Sequence, residues 1–402
     1  MDDRLGVLHI VDMYLPVTEN WIYSQIVGVK QCRCAVAARA LETPEAFPFP
    51  HVHQCPRLIA RPKSLLARGV NRVVESALGI QRRRQVAVAR EFGADLLHAH
   101  FGPIGYQSLA LKKATGLPLI TAFYGMDACA LPNQSPKWRD RYRTLFEQGD
   151  LFLAEGSHMR ETLISLGCPR EKAVVQHLGV NLDLIPFEPR RPAEDGTITV
   201  IMVGSFREKK GLPYGVRAFA KVTHERPNLR LVIVGDGRTP RELEIKREIL
   251  GCIEDGGIED RVRITGYIPH EEFLREVRQA HICLQPSVTA ADGDAEGGAP
   301  VCLIEMSASG MPVVASRHCD IPEVIVDGAS GFLVPERDVD ALAERLLYLA
   351  DRRETWEDMA RAGRTHVEEE YDAALQVQRL EGVYRSLLTV HRSPPSFSER
   401  RE

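Results

Sequence analysis

Several stretches of this chain set chemically active side chains in glycine-bounded loops. In Val203–Leu212, Arg207, Lys209 and Lys210 lie between Gly204 and Gly211. Gly204 permits close backbone approach, and the next helix is expected to start near Leu212–Pro213. Unpaired amides and the dipole at a helix start add positive potential, so this loop suits a diphosphate. Leu231–Gly237 reads as a strand ending in a tight Gly-Asp-Gly turn. Gln285–Gly310 is a polar, glycine-rich loop leading into a helix, with Pro300 suited to the first turn and Gly310 to the stop. Glu305 then falls among Val301, Ile304 and Ala308. A half-buried carboxylate needs partners, and a ribose diol offers two hydroxyls. The amides of Gly297, Gly298 and Ala299 address the same helix start, and Glu296 is either beside a reacting sugar or a solvated loop acid. Asp95–Gly105 ends a strand in His98 and His100. A metal pair is discounted there, on the expectation that these two rings leave the strand on opposite faces, with one either facing a cleft or satisfied in the core. In Thr121–Asp127, Asp127 either caps a helix or lines the cleft.

The elements that must position these loops are apolar runs. They fall at 5–11, 34–38, 95–98, 117–123, 151–154 and 174–177, then at 198–203, 230–234, 262–265, 282–285, 313–315 and 331–334. Continuous apolar runs alternating with helical patterns point to α/β architecture with parallel sheets buried on both faces. The pattern occurs twice, so two Rossmann-like domains are expected, with ligands beyond the carboxyl ends of the strands. Three prolines and several charges in 186–196 mark a linker.

The chain has 402 residues, enough for two or three domains. Hydrophobic residues at 44% and charged residues at 26% exclude wholesale disorder. A net charge of -4 argues against a protein that coats nucleic acid. No apolar run is long enough to span a membrane, and Met1–Arg4 does not open like a signal peptide, so a cytoplasmic location is expected. The nine cysteines are scattered without a CxxC pair, which favours reduced thiols over disulfides or zinc. Residues 51–90 hold nine Lys/Arg against one acid, Glu75, interleaved with apolar residues. Such a segment suits peripheral contact, through 57–90, with the anionic inner face of the cell membrane.

In combination these motifs resemble the family 4 (GT4) retaining glycosyltransferases. The resemblance rests on the 203–212 loop, the Val234–Gly237 turn, Gly266, Gln285–Ser287, the segment from Glu296 to Glu305, Gly310–Val314, His177–Asn181 and Asp327–Pro335. It covers roughly 5–390. The opening Tyr14–Ile22 is similar to a branch that builds exopolysaccharide and colanic acid repeat units. The family implies a GT-B fold, two Rossmann-like domains facing across a cleft, with a C-terminal helix returning to the N-terminal domain. The implied division is 1–188 for acceptor binding, 197–375 for the nucleotide-sugar, 376–390 for the returning helix and 391–402 for a disordered tail. Carried over by position, Arg207 and Lys210 bind the donor diphosphate beside Gly204, and Glu305 holds the ribose. Glu296, Gly297, Gly298 and Ala299 meet the transferred sugar, and the backbone at Tyr267–Ile268 meets the base. His100 sits near the reacting sugar, while Thr18, Glu19, Asn20 and Asp127 lie on the acceptor side.

The implied activity is retaining, metal-independent transfer of a hexose-type sugar from a UDP- or GDP-sugar to a glycan or lipid-linked acceptor, in cell-surface polysaccharide biosynthesis. The nucleotide-sugar is a co-substrate, and no other cofactor is implied. The chain departs from the family pattern in three places. Ser205 follows the loop glycine where arginine is usual. Glu296 and Glu305 are nine apart rather than eight. Tyr124 replaces a common histidine. The glutamate spacing and Ser205 keep a non-catalytic sugar-nucleotide or glycan-binding subunit in view, and a GT-B nucleotide-sugar epimerase, which would bind the same donor without an acceptor, is the other alternative.

Overall fold

The computed structural model describes residues 4–15, 20–56 and 79–392. Two sheets, parallel throughout, organise them. The first has the order β3-β2-β1-β4-β5-β6-β7. Its strands are β1 (Leu5–Tyr14), β2 (Cys32–Leu41), β3 (Val52–Gln54), β4 (Leu96–His100), β5 (Leu119–Ala122), β6 (Leu151–Ala154) and β7 (Ala173–Val175). The second has the order β10-β9-β8-β11-β12-β13. Its strands are β8 (Ile198–Val203), β9 (Leu229–Val234), β10 (Val262–Gly266), β11 (Ile282–Gln285), β12 (Val313–Ser316) and β13 (Gly331–Val334). Each apolar run predicted as a strand became one. The exception to the prediction is β3, a short edge strand in a segment with no continuous apolar run.

Helices cover both faces of each sheet. On the first they are α1 (Asn20–Gly28), α2 (Ile80–Phe92), α3 (Gly102–Thr115), α4 (Pro136–Gln148) and α5 (Ser157–Ser165). On the second they are α6 (Leu212–Thr223), α7 (Pro240–Asp255), α8 (His270–Gln279), α9 (Val301–Ala308), α10 (Val339–Asp351) and α11 (Trp356–Glu370). The Pro186–Gly196 stretch is pinned to the second domain rather than loose. Arg190 is buried there and donates to Ala280 O at 2.9 Å and to Ser309 Oγ at 2.8 Å.

The final helix, α12 (Ala373–Arg392), returns to the first sheet. Leu380, Tyr384 and Leu388 enter the core that holds Val7, Val11 and Leu96. Glu381 accepts from the backbone N–H of Lys30 and Gln31, both at 2.8 Å. His391 and Arg392 belong to this helix rather than to a tail. Thr18, Glu19 and residues 57–78 of the basic segment lie outside the described residues, as does everything after Arg392. Asn20 opens α1.

Candidate active site

The 203–212 loop leaves β8 at the carboxyl edge of the second sheet. Phe206 is fully buried and anchors it, and its N–H donates to Asp236 O at 2.9 Å. A short turn, Glu208–Lys210, ends at Gly211, from which α6 starts at Leu212. Gly211 has φ 62, and a Cβ there would lie 1.8 Å from Pro286 O, so only glycine fits this close approach of the two loops.

The three cations of this loop face the 294–296 segment. Arg207 Nη2 lies 2.5 Å from Asp294 Oδ2. Lys209, buried, donates to Ala295 O at 2.8 Å and acts as a strut. Lys210 Nζ donates to Glu296 Oε2 at 2.9 Å. Ser287 donates to the other oxygen, Glu296 Oε1, at 2.8 Å, and Gln285 donates to Ser287 at 2.8 Å. The Glu296 N–H donates to His318 Nε2 at 3.1 Å, and His318 Nδ1 pairs with Glu336 at 2.6 Å. Burial alone would push the Glu296 carboxyl up. Lys210 and Lys209 beside it outweigh burial and hold it down at about 2. Lys210 also suffers from burial, yet Glu296 holds it above its ordinary value.

Gly297–Pro300 separates Glu296 from α9, on which Glu305 lies. Among the described residues no side-chain hydrogen bond is made to Glu305, and burial pushes its carboxyl up to about 7. Tyr267 is 47% exposed, and the Arg238 guanidinium lies 4.2 Å from its ring centroid. Ile268 packs on the second-domain core.

The first domain meets this loop directly. A Cβ on Gly125 would lie 2.0 Å from Glu296 O, and one on Gly298 would lie 2.1 Å from Glu155 Oε2. Burial pushes Glu155 well above the ordinary carboxylate range. From the second domain, Asp320 accepts from the His158 N–H at 2.6 Å, and Glu323 accepts from the Ser157 N–H at 2.9 Å. Two carboxylates thus cap the start of α5 across the domain boundary. Neither these acids nor Asp294 and His318 were picked out from sequence, and Ser287 entered only as part of the Gln285–Ser287 motif. Their partners are distant in the chain, and no local pattern marks them.

Two expected placements need correction. Of the two roles open to Asp127, capping holds, and the acceptor-side place implied by the resemblance does not. Asp127 is buried and accepts from the Gly102 N–H at 2.6 Å and the Tyr124 N–H at 2.8 Å. It thus caps α3 from a neighbouring loop, and burial raises it to about 7. His100 does not face the cleft either. It is fully enclosed behind Tyr124, whose hydroxyl lies 2.8 Å from His100 Nδ1. His98 and His100 also share one face, because residues two apart on a strand point the same way. Their rings stack at 4.4 Å, and His9 of β1, level with His98, completes a trio. One nitrogen of each ring lies within 4.8 Å of the others. The stated reason for discounting a metal therefore fails. The electrostatics bear on it instead. Burial depresses all three rings, neighbouring imidazoles add to this at His98 and His100, and no carboxylate among the described residues acts on any of them to balance a dication.

Residues 32–184 match the family described as Glycosyltransferase Family 4, and residues 197–352 match Glycosyl transferases group 1. The amylovoran biosynthesis glycosyltransferase AmsK of Erwinia amylovora is 33% identical over 293 residues, 72% of this chain and 70% of AmsK. The chain belongs to glycosyltransferase family 4. WcaL of Escherichia coli (strain K12), named for colanic acid biosynthesis, is 37% identical over 265 residues. That alignment spans 64% of this family 4 chain and 62% of the WcaL length. Among solved structures, Anabaena Alr3699/HepE in complex with UDP and glucose superposes with a TM-score of 0.77 at 17% identity. The match covers 95% of this chain and all of that one, and it places the family 4 chain in the same fold.

Proposed function

We propose that the protein transfers a hexose-type sugar from a nucleotide-sugar to a hydroxyl of a glycan or lipid-linked saccharide, with retention at the anomeric carbon, in cell-surface polysaccharide assembly. The observation that carries this reading is the cluster at the carboxyl edge of the second sheet. Three cations (Arg207, Lys209, Lys210) face two carboxylates (Asp294, Glu296) there, one positive charge in excess. Glu305 stands on the next helix with no partner among the described residues. A donor diphosphate would take up the excess charge, and its ribose would take up Glu305. Relatives named for amylovoran and colanic acid biosynthesis support the polysaccharide assignment.

As the anomeric C–O bond breaks, negative charge grows on the leaving diphosphate. Arg207 and Lys210, held beforehand by Asp294 and Glu296, would stabilise it. These side chains supply the charge a divalent metal would otherwise bring. The acceptor hydroxyl attacks from the face the diphosphate leaves, and its proton passes to the leaving phosphate oxygen. Closure at Gly125 and Glu296 would limit donor hydrolysis. No helix among the described residues is long and apolar enough to cross a membrane, and a peripheral contact through the basic α2 suits a lipid-linked acceptor.

The test is thermal stabilisation by a panel of UDP-, GDP- and ADP-sugars, with Glu305→Ala as control. A ligand at about 100 times its Kd adds roughly 2.7 kcal/mol. A shift with one nucleotide class, lost in the variant, supports the reading. No shift with any member sinks it. Turnover of the donor without an acceptor, giving an isomerised sugar-nucleotide, would favour an epimerase instead.

A further inference from the structure

The loop that joins β11 to α9 is held by the chain that follows the next two strands. Two residues past β12, His318 is 1% exposed, and its Nε2 accepts from the Glu296 N–H at 3.1 Å. Two residues past β13, Glu336 faces His318 Nδ1 at 2.6 Å and accepts from the Thr289 N–H at 2.9 Å. One carboxylate therefore grips the loop at Thr289 and, through the imidazole, again at Glu296. These contacts determine where the His318 proton sits. A backbone N–H only donates, so Nε2 is bare and Nδ1 carries the proton. Burial would raise the Glu336 carboxyl, but the Thr289 N–H and His318 outweigh it and hold it below its ordinary value, so it accepts. The Cys319 sulfur, 3.2 Å from Nε2, leaves the assignment unchanged, because a thiol there also donates. The backbone marks the same two places. Three non-glycine residues among those described have positive φ, and two of them, Cys319 at 47 and Arg337 at 63, directly follow His318 and Glu336. Such backbone is strained and persists only where its surroundings impose it.

We propose that His318 and Glu336 are positioning residues that aim the Glu296–Ala299 turn at the transferred sugar. The inference deepens the transferase reading and rests on it for the identity of that sugar site. The pivot is the peptide between Ala295 and Glu296. Its carbonyl, Ala295 O, accepts from Lys209 Nζ at 2.8 Å, and its N–H donates to His318. A peptide is planar, so holding it at both ends fixes its plane. Lys210 and Ser287 hold the Glu296 carboxylate. With peptide and side chain both fixed, the direction in which the chain enters Gly297 is set, and Gly297, at φ 83, turns it toward α9. Without His318 the peptide keeps only its lysine contact and can rotate about it. Arg207 and Lys210 address the diphosphate, whereas His318 acts only on the sugar end. Its loss should therefore spare nucleotide affinity and impair turnover.

The clamp is tested without turnover, and its purpose by kinetics. Long-range 1H–15N correlation spectra of the full chain with labelled histidine should show His318 protonated on Nδ1 alone at neutral pH, its signal assigned by its loss in His318→Gln. A proton on Nε2 overturns the clamp, whether or not the protein turns over any donor. His318→Phe keeps a ring and removes both nitrogens. Amide exchange in the peptide spanning 294–300 should then rise by about tenfold and stay unchanged in α6. Unchanged exchange in 294–300 overturns the clamp as well. In the transferase assay, His318→Phe should lower kcat about tenfold while the affinities for UDP and GDP stay within about threefold of those of the unaltered chain. Adding Glu336→Ala should lower kcat no further, because both residues act through one hydrogen bond. His318→Gln, whose amide oxygen can accept from the Glu296 N–H, should recover most of the loss. Nucleotide affinity falling as far as kcat, or a Gln variant as poor as Phe, would show that the pair supports the fold alone. The Nδ1 tautomer and raised exchange in a chain that turns over no donor would overturn the sugar-aiming role together with the transferase reading and leave the clamp standing. Should His318→Phe not fold, Glu336→Ala carries the exchange and kinetic tests.

Discussion

Lys210 Nζ lies 2.9 Å from Glu296 Oε2, joining two loops 86 residues apart in the chain. Each side chain makes the other's burial tolerable. Removing one leaves an uncompensated charge, which costs far more than an exposed pair would. Lys210→Ala should therefore lower the melting temperature and also the rate, the latter by on the order of 10²-fold if Lys210 stabilises the leaving group. Adding Glu296→Gln should restore part of the melting temperature and none of the rate. Melting curves and kcat on the same samples check both. Equal recovery of rate and stability would make the pair purely structural.

Glu296 also sets a pH dependence. Its pKa is held at about 2, below the unfolded value near 4.5, so its contribution is present above that value and is lost as pH falls toward 2. Glu305 runs the other way. Burial raises it to about 7, so the folded form holds the proton more tightly than the unfolded chain. The associated stability is full below about pH 4.5 and disappears as pH rises through 7. Glu305→Gln should therefore raise the melting temperature at pH 8, leave it nearly unchanged at pH 4.5, and weaken nucleotide-sugar binding. A melting curve at each pH, with and without donor, separates the two effects.

The approach of Gly125 to Glu296 yields a sharper test of closure. Gly125 has an ordinary helical backbone, φ -50, so alanine is acceptable there apart from its clash with Glu296 O across the boundary. Gly125→Ala should leave each domain folded but hold the two apart. The expected outcome is a larger radius of gyration by small-angle scattering, a kcat at least tenfold lower, and donor affinity within about threefold, since the donor loops lie on the second domain. An unchanged kcat would mean that turnover does not need this contact.

The membrane proposal rests on α2, where Arg82, Arg83 and Arg84 are all exposed. Juxtamembrane cations contribute about 1 kcal/mol each near an anionic surface. Replacing the three with Gln should reduce binding to phosphatidylserine liposomes by roughly two orders of magnitude at low salt, with little effect on melting temperature. Co-sedimentation at two salt concentrations measures this. Unchanged binding would remove lipid attraction as a role for these arginines.

Much of the architecture was legible in sequence. Parallel strands buried on both faces must be apolar along their whole length, so the runs at 5–11, 198–203 and 282–285 declare themselves locally. Loops that follow such strands must collect at one edge, which is why Arg207, Lys210 and Glu296 could be grouped from their order in the chain, whereas Glu305, on the helix that follows, was added through the resemblance. The edge strand Val52–Gln54 was not legible, because an edge is half solvated and needs no apolar run. Only the tertiary structure decided which residues pair. Lys209 became a strut to Ala295 while Lys210 took Glu296, a choice between adjacent lysines that depends on where a distant loop passes. Asp127 turned inward because two amides from separate elements converge on it. His9 joined His100 because β1 lies beside β4, a neighbour relation written in no single segment. Apolar burial acts on each strand's own composition and is therefore readable along the chain. Hydrogen bonds and ion pairs need two groups within a few ångströms, and only the folded chain brings those together.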